Sequence, residues 1–315
     1  MISMLAMAAM VSCTNEIESP EVPVNEGPVP VTLNAGINQV TTKAIVAQDA
    51  NISAIVYASA TTNNYKTLAW TGDNAGKISI TNGTTVAFTQ TEYYPSDGSS
   101  IYMKAVYPVP SAAPTNNIIT YTIDGDMDIM MTGELSGSRK TSESGSKELN
   151  FNHMLTQLKI KVIAEDAAAK TAWGEISSIT VNKVNTSIQL DLSKAYNGTA
   201  TDAALTSTGS NDKSITFVGL PTDKTMPTIS TETTAAEIAA SAKEMGYAMI
   251  QPGNTDYELS ITTANSTDMK VNVTLTESKA STSYDIVLTF KASSITASAT
   301  IGEWISGTGT NTEVK

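Results

Sequence analysis

The chain has 315 residues, a formal net charge of −12 and a pI near 4.5, and only 16% of its residues are charged. That balance, with Arg139 as the sole arginine, argues against nucleic acid as a partner, because gripping a phosphate backbone needs clustered Lys and Arg. A single histidine and a single cysteine leave no His pair for zinc or iron, no Cys-His dyad and no internal disulfide, so no metal, no cofactor and no enzymatic centre are expected.

The first element is an apolar run from Ile2 to Val11 that ends at Ser12 and Cys13. It is far short of the about 20 residues that span a bilayer, and it resembles the core of a bacterial lipoprotein signal whose cysteine is acylated after cleavage. Residues 1–12 are therefore expected to be a removed signal peptide, with its basic start lying upstream, and Cys13 the lipid anchor in an outer membrane. Residues 13–30, rich in proline from Pro20 to Pro30 and without helical periodicity, are expected to form an extended tether.

From Val31 onward the period is that of strands. Val31, Leu33 and Ala35 alternate with Thr32 and Asn34, and similar alternation marks Ile52–Ala58, Ile101–Tyr107, Ile119–Ile123, Leu158–Val162 and Ile188–Leu192. It returns at Ile215–Phe217, Tyr257–Ile261, Val271–Leu275 and Tyr284–Phe290. Threonine and serine fill the outward positions, and Asn82-Gly83, Asp97-Gly98, Asp124-Gly125 and Asn197-Gly198 supply turns. The expected class is all-β and sandwich-like. One or two short helices interrupt it. Thr234 and Glu237 have capping-box spacing and open a helix expected to run to Met245 with Gly246 as its stop, and Glu165–Thr171 is a weaker second helix. A chain of this length suggests two domains, 31–166 and 167–315, divided near Asp166.

His153 lies in a run read as one strand from Phe151 to Val162, where a packed or hydrogen-bonded role outweighs catalysis. Asp124, Asp126 and Asp128 alternate as in the first half of a calcium loop. Ile129 and Leu135 stand where such a loop needs its glycine and its glutamate, so a turn or solvated strand edge is expected. Tyr93-Tyr94-Pro95 and Tyr107-Pro108 flank Asp97-Gly98 and read as a hairpin whose tyrosines cap a core.

These last residues carry a family resemblance. Tyrosine-proline, a turn, an alternating strand and a second tyrosine-proline resemble the first domain of the Bacteroidetes fimbrillins, subunits and accessory proteins of lipoprotein-derived surface pili. Asp128-Ile129-Met130-Met131, the Phe151 to Val162 strand with its Phe-x-His start, and Ile301-Gly302-Glu303-Trp304 resemble further motifs in the same order. The resemblance implies two transthyretin-like β-sandwich domains in tandem and no catalysis. It also implies assembly by strand addition, in which a protease removes the first strand and a neighbouring fimbrial subunit fills the groove.

The family is cut after a basic residue, commonly before alanine, and Thr41-Thr42-Lys43-Ala44 offers that pattern with Lys43 in place of arginine. An arginine-specific protease would pass it by, and an uncut subunit would keep its first strand and its lipid, as an anchor does. Ile295, Ala297, Ala299 and Ile301 alternate with Thr296, Ser298 and Thr300 and are the candidate donor strand, although their small side chains also suit an ordinary last strand. The expected partners are other fimbrial subunits, the outer membrane through Cys13, and a host or bacterial surface ligand. The alternative function is a surface lipoprotein that binds glycans, for which exposed tyrosine or tryptophan on one face would be the sign; Trp70, Trp173 and Trp304 are spread along the chain.

Overall fold

The computed structural model describes residues 27–38, 46–144, 147–196 and 204–302. Strands take 47% of the described residues and helices 7%, so the all-β expectation holds. The first strands are β1 Leu33–Ile37, β2 Ile52–Ser59, β3 Lys77–Thr81, β4 Thr85–Phe88 and β5 Ile101–Tyr107. They are followed by β6 Ile118–Thr122, β7 Met130–Thr132, β8 Leu135–Gly137 and β9 Lys147–His153. Next come β10 Thr156–Ala164, helix α1 Ala167–Trp173, β11 Ile176–Val184, β12 Ser187–Asp191, β13 Leu205–Ser207 and β14 Lys213–Thr216. Helix α2 Ala235–Ser241 precedes β15 Lys243–Ile250, β16 Asp256–Thr263, β17 Met269–Thr274, β18 Thr282–Phe290 and β19 Ile295–Gly302.

The early strands close on themselves. Their sheet runs β2-β3-β4-β1-β9-β7-β5, and β5 also pairs with β2, which makes a ring with β8 attached to β5. Closure removes free edges, the usual weakness of a sheet. Inside the ring lie Leu33, Ile37, Val56, Ile80, Met103 and Phe151, all buried in one cluster. The β3–β4 hairpin turns at Asn82-Gly83, both with positive φ (51° and 67°), as the pair predicts for a tight turn.

The later strands form two four-stranded sheets, β15-β10-β18-β19 and β14-β11-β16-β17. Leu158, Ile160, Ile179, Leu259 and Ile286 belong to the core cluster that these sheets share. A third sheet, β13-β12-β6, draws β6 out of the early part of the chain and pairs it with β12. The outward side chains Tyr57 of β2 and Val106 of β5 join the same cluster as Tyr121 of β6, so this small sheet seals the ring to the later strands. The two parts repeat one pairing rule. β1 is antiparallel to β4 and parallel to β9, and β10 is antiparallel to β15 and parallel to β18.

Several sequence expectations are corrected. Phe151 to Val162 is two strands: β9 stays in the ring, while β10, after Met154 and Leu155, enters another sheet. Asp166 is the N-cap of α1, its carboxylate accepting from Ala169 N at 2.7 Å. Helix α2 has both capping-box bonds but ends at Ser241. Met245 and Gly246 lie in β15, where a Cβ on Gly246 (φ 109°) would collide with the Val218 carbonyl oxygen, so this glycine permits close strand approach rather than stopping a helix. Tyr93-Tyr94 and β5 do not form a hairpin. Tyr93 bridges Pro30, and Tyr94 N donates to Val29 O at 3.0 Å, because the chain leading into β1 takes that edge. Asp128 is buried, not solvated, since the His153 imidazole lies 2.8 Å from its carboxylate.

Candidate functional site: the slot filled by the first strand

The position of β1 follows from its side chains. Val31, Leu33, Ala35 and Ile37 are 4, 4, 3 and 2% exposed, and all four enter the ring's core. Burying a large aliphatic side chain stabilises by roughly 1.5–3 kcal/mol, so this short segment supplies a large share of the apolar contact on its side of the ring.

The backbone of β1 is held unequally on its two sides. Toward β9 the parallel ladder runs without a break from Leu33↔Lys147 to Ile37↔Phe151, and Asn38 N donates to Phe151 O at 2.9 Å. Toward β4 the paired register is Asn34↔Thr85, with Ala35 N donating to Thr84 O at 2.9 Å and, farther along, Val31 N to Glu92 O at 2.8 Å. Taking β1 away would uncover the edges of β4 and β9 together with an apolar trough between them. Unpaired backbone amides and bare apolar surface are both costly, so such a slot favours another strand.

Arg139 fixes the approach to this slot. It sits in the short 3-10 turn Arg139–Ser144, with Nη2 donating to Gly27 O at 2.8 Å and Nη1 to Ser96 O at 3.0 Å. The chain's one guanidinium thus holds backbone carbonyls of two separate segments beside this slot.

The candidate donor residues lie in β19, which pairs antiparallel with β18 from Phe290↔Ile295 to Ser283↔Gly302. Ile295, Ala297 and Ala299 are half-buried against the core of the later strands. Ile301, opposite Tyr284, is 75% exposed. β19 is the edge of its sheet. Cys13, Lys43 and Ala44 fall outside the described residues, as does Trp304.

Two buried polar groups support the architecture. His153 ends β9 with its Nδ1 2.8 Å from Asp128 Oδ2, both side chains at most 1% exposed, and its carbonyl accepts from Ser281 Oγ at 3.1 Å. Lys104 on β5 is 1% exposed, and its Nζ donates to Leu192 O and Lys194 O, each at 2.8 Å. Burial pulls the Lys104 ammonium pKa down, while the Glu134 and Asp191 carboxylates oppose that shift. Sequence reading missed this lysine, whose place on an alternating strand signals a solvent-facing residue. No helix among the described residues is long and apolar enough to cross a membrane.

The fold and the chain's residues agree with known proteins. Among solved structures, a protein with a proposed cell-adhesion role from Bacteroides uniformis superposes with a TM-score of 0.57 at 17% identity, covering 88% of this chain and 98% of that one. Another with the same proposed role from Bacteroides ovatus gives 0.55 at 13% identity, covering 89% and 98%. No curated protein sequence matches. The fimbrillin-like family model matches residues 39–304, and the chain belongs to that family.

Proposed function

We propose that the chain is a structural or accessory subunit of a surface fimbria, without enzymatic activity, that contributes to cell adhesion and joins its neighbours by strand addition. The carrying observation is β1 itself: three buried apolar side chains, Leu33, Ala35 and Ile37, on one short strand between β4 and β9, with buried Val31 just ahead of it and Lys43-Ala44 a few residues downstream. Cleavage after Lys43 would leave the strand bound only by noncovalent contacts. The proposed cell-adhesion role of the two Bacteroides proteins that share the fold accords with this reading.

In the same reading, Cys13 carries the lipid that ties an uncut subunit to the outer membrane, and residues 13–30 form the tether. The chain forms two units in tandem, 31–166 and 167–315, a division that the change of sheet membership shortly before Asp166 supports in outline. β19 is the candidate donor, and its side chains match β1 imperfectly: where β1 offers Leu33 and Ala35 between Val31 and Ile37, β19 offers Ala297 and Ala299 between Ile295 and Ile301. A donated β19 would leave part of the trough unfilled, so a neighbour with a bulkier strand would bind more tightly.

The test is limited trypsin digestion of the chain lacking residues 1–13, followed by intact mass and size-exclusion chromatography. Cleavage at Lys43 with growth into ladders supports the proposal. A chain cut at Lys43 that stays monomeric contradicts it.

A further inference from the structure

Outside the ring, away from the β1 slot, a half-open cavity of about 480 Å³ lies between the connection from β2 to β3 and the segment after β5. Outward positions of β2 supply Ile55 and Tyr57, the connection supplies Leu68, Trp70 and Asp73, and Lys77 begins β3 on the same side. Val109, Pro110 and Ser111 close the opposite wall. Volume and lining fall in the range of small-molecule sites, which are mostly apolar with a few convergent polar groups.

Tyr57 is the unusual member. It is 4% exposed, burial alone pushes its phenol pKa up, and its hydroxyl makes no hydrogen bond among the described residues. Other buried tyrosines are satisfied: Tyr65 donates to Glu134, Tyr121 to Pro108 O, and Tyr257 to Ser278. Tyr57 lines the cavity, so its hydroxyl is placed to give and accept hydrogen bonds to a ligand that enters it.

The remaining groups define the ligand. Asp73 brings acceptors and Lys77 donors, neither is held in an ion pair among the described residues, and their charges cancel. Tyr57, Thr71 and Ser111 bring hydroxyls that both give and accept. An anion would find one lysine beside a carboxylate, and a wholly apolar ligand would leave the Tyr57 hydroxyl unsatisfied. A compact neutral ligand with closely spaced hydroxyls and apolar C–H faces meets both requirements, since it can answer donors and acceptors while lying against Trp70 and Leu68.

We propose that this cavity binds one neutral sugar unit of a surface glycan, with the Tyr57 hydroxyl as its hydrogen-bonding anchor and Trp70 and Leu68 as part of its apolar wall. The site is separate from the β1 slot, so binding does not depend on strand addition. The experiment is saturation-transfer NMR of the intact soluble chain with the methyl glycosides of glucose, galactose, mannose and N-acetylglucosamine, backed by thermal melting. At least one glycoside is expected to bind in the millimolar range, and Tyr57→Phe to weaken it about fivefold to tenfold with no loss of melting temperature. Ser111→Trp, an exposed change that fills the mouth, should abolish the signal. Absence of signal from every glycoside, or equal binding by Tyr57→Phe, overturns the proposal.

Discussion

Ile37 of β1 stands beside Phe151 of β9 in the parallel ladder, and both side chains are buried in the core of the ring. The pair joins the first strand to the last strand of the early sheet across more than a hundred residues of chain. Ile37→Ala should cost about 2–4 kcal/mol by removing buried methylenes and leaving a void. Urea unfolding of the uncut chain measures it, and a cost under half a unit of kcal/mol would mean that β1 is loosely seated.

The Asp128–His153 pair should behave as a buried ionic or hydrogen-bonded unit. His153→Leu removes the partner of Asp128 Oδ2, and Asp128 Oδ1 already has no hydrogen-bond partner. The expected loss is about 3–5 kcal/mol, whereas Asp128→Leu combined with His153→Leu should recover much of it, because no buried carboxylate is then stranded. Equilibrium denaturation of His153→Leu, Asp128→Leu and the double variant gives the coupling by difference.

How much of this was legible beforehand differs from element to element. The strand from Ile101 to Tyr107 was marked in full by its alternation, and α2 by Thr234 and Glu237, because those signals are local. β1 was placed two residues early, since Gly36 carries no side chain to extend the pattern to Ile37. β15 was hidden because Lys243, Glu244 and Met245 continue a helix former's composition, while their strand state is imposed by β10. The parallel pairing of β1 with β9 was illegible: periodicity reports which face a residue presents, not which distant strand it meets. The cavity beside Tyr57 had the same fate, because Trp70 and Pro110 come together only in the folded chain.

Alkaline pH should unfold the protein through its tyrosines. Burial, reinforced by the Asp128 and Asp126 carboxylates, pushes the Tyr107 phenol up to about 12, from an ordinary value of 10.0. The folded state therefore holds that proton more tightly than the unfolded chain, so its contribution is complete below pH 10 and is lost as pH rises through about 12. Melting temperature should stay level from neutral pH to the edge of that window and then fall. Tyr107→Phe should make the decline shallower; an unchanged slope would contradict the assignment.

Lys104 should act as a latch between the ring and the β12 region. Lys104→Met keeps the apolar stem but strips the buried Leu192 carbonyl and the partly buried Lys194 carbonyl of their donor, at about 1–3 kcal/mol. Faster amide hydrogen exchange around residues 192–194, with β1 protection unaltered, is the expected local signature. Uniform loss of protection would instead assign Lys104 to the global fold.

The central claim is that β1 is a replaceable strand. Its most direct measurement is binding of a fluorescent synthetic peptide of residues 29–38 to chain cut after Lys43 and freed of its own first strand, followed by fluorescence anisotropy. Saturable binding by the cut chain, none by the uncut chain, and loss of binding with a Leu33→Asp peptide are the predicted results. Absence of binding by a cut chain that remains folded would contradict the account.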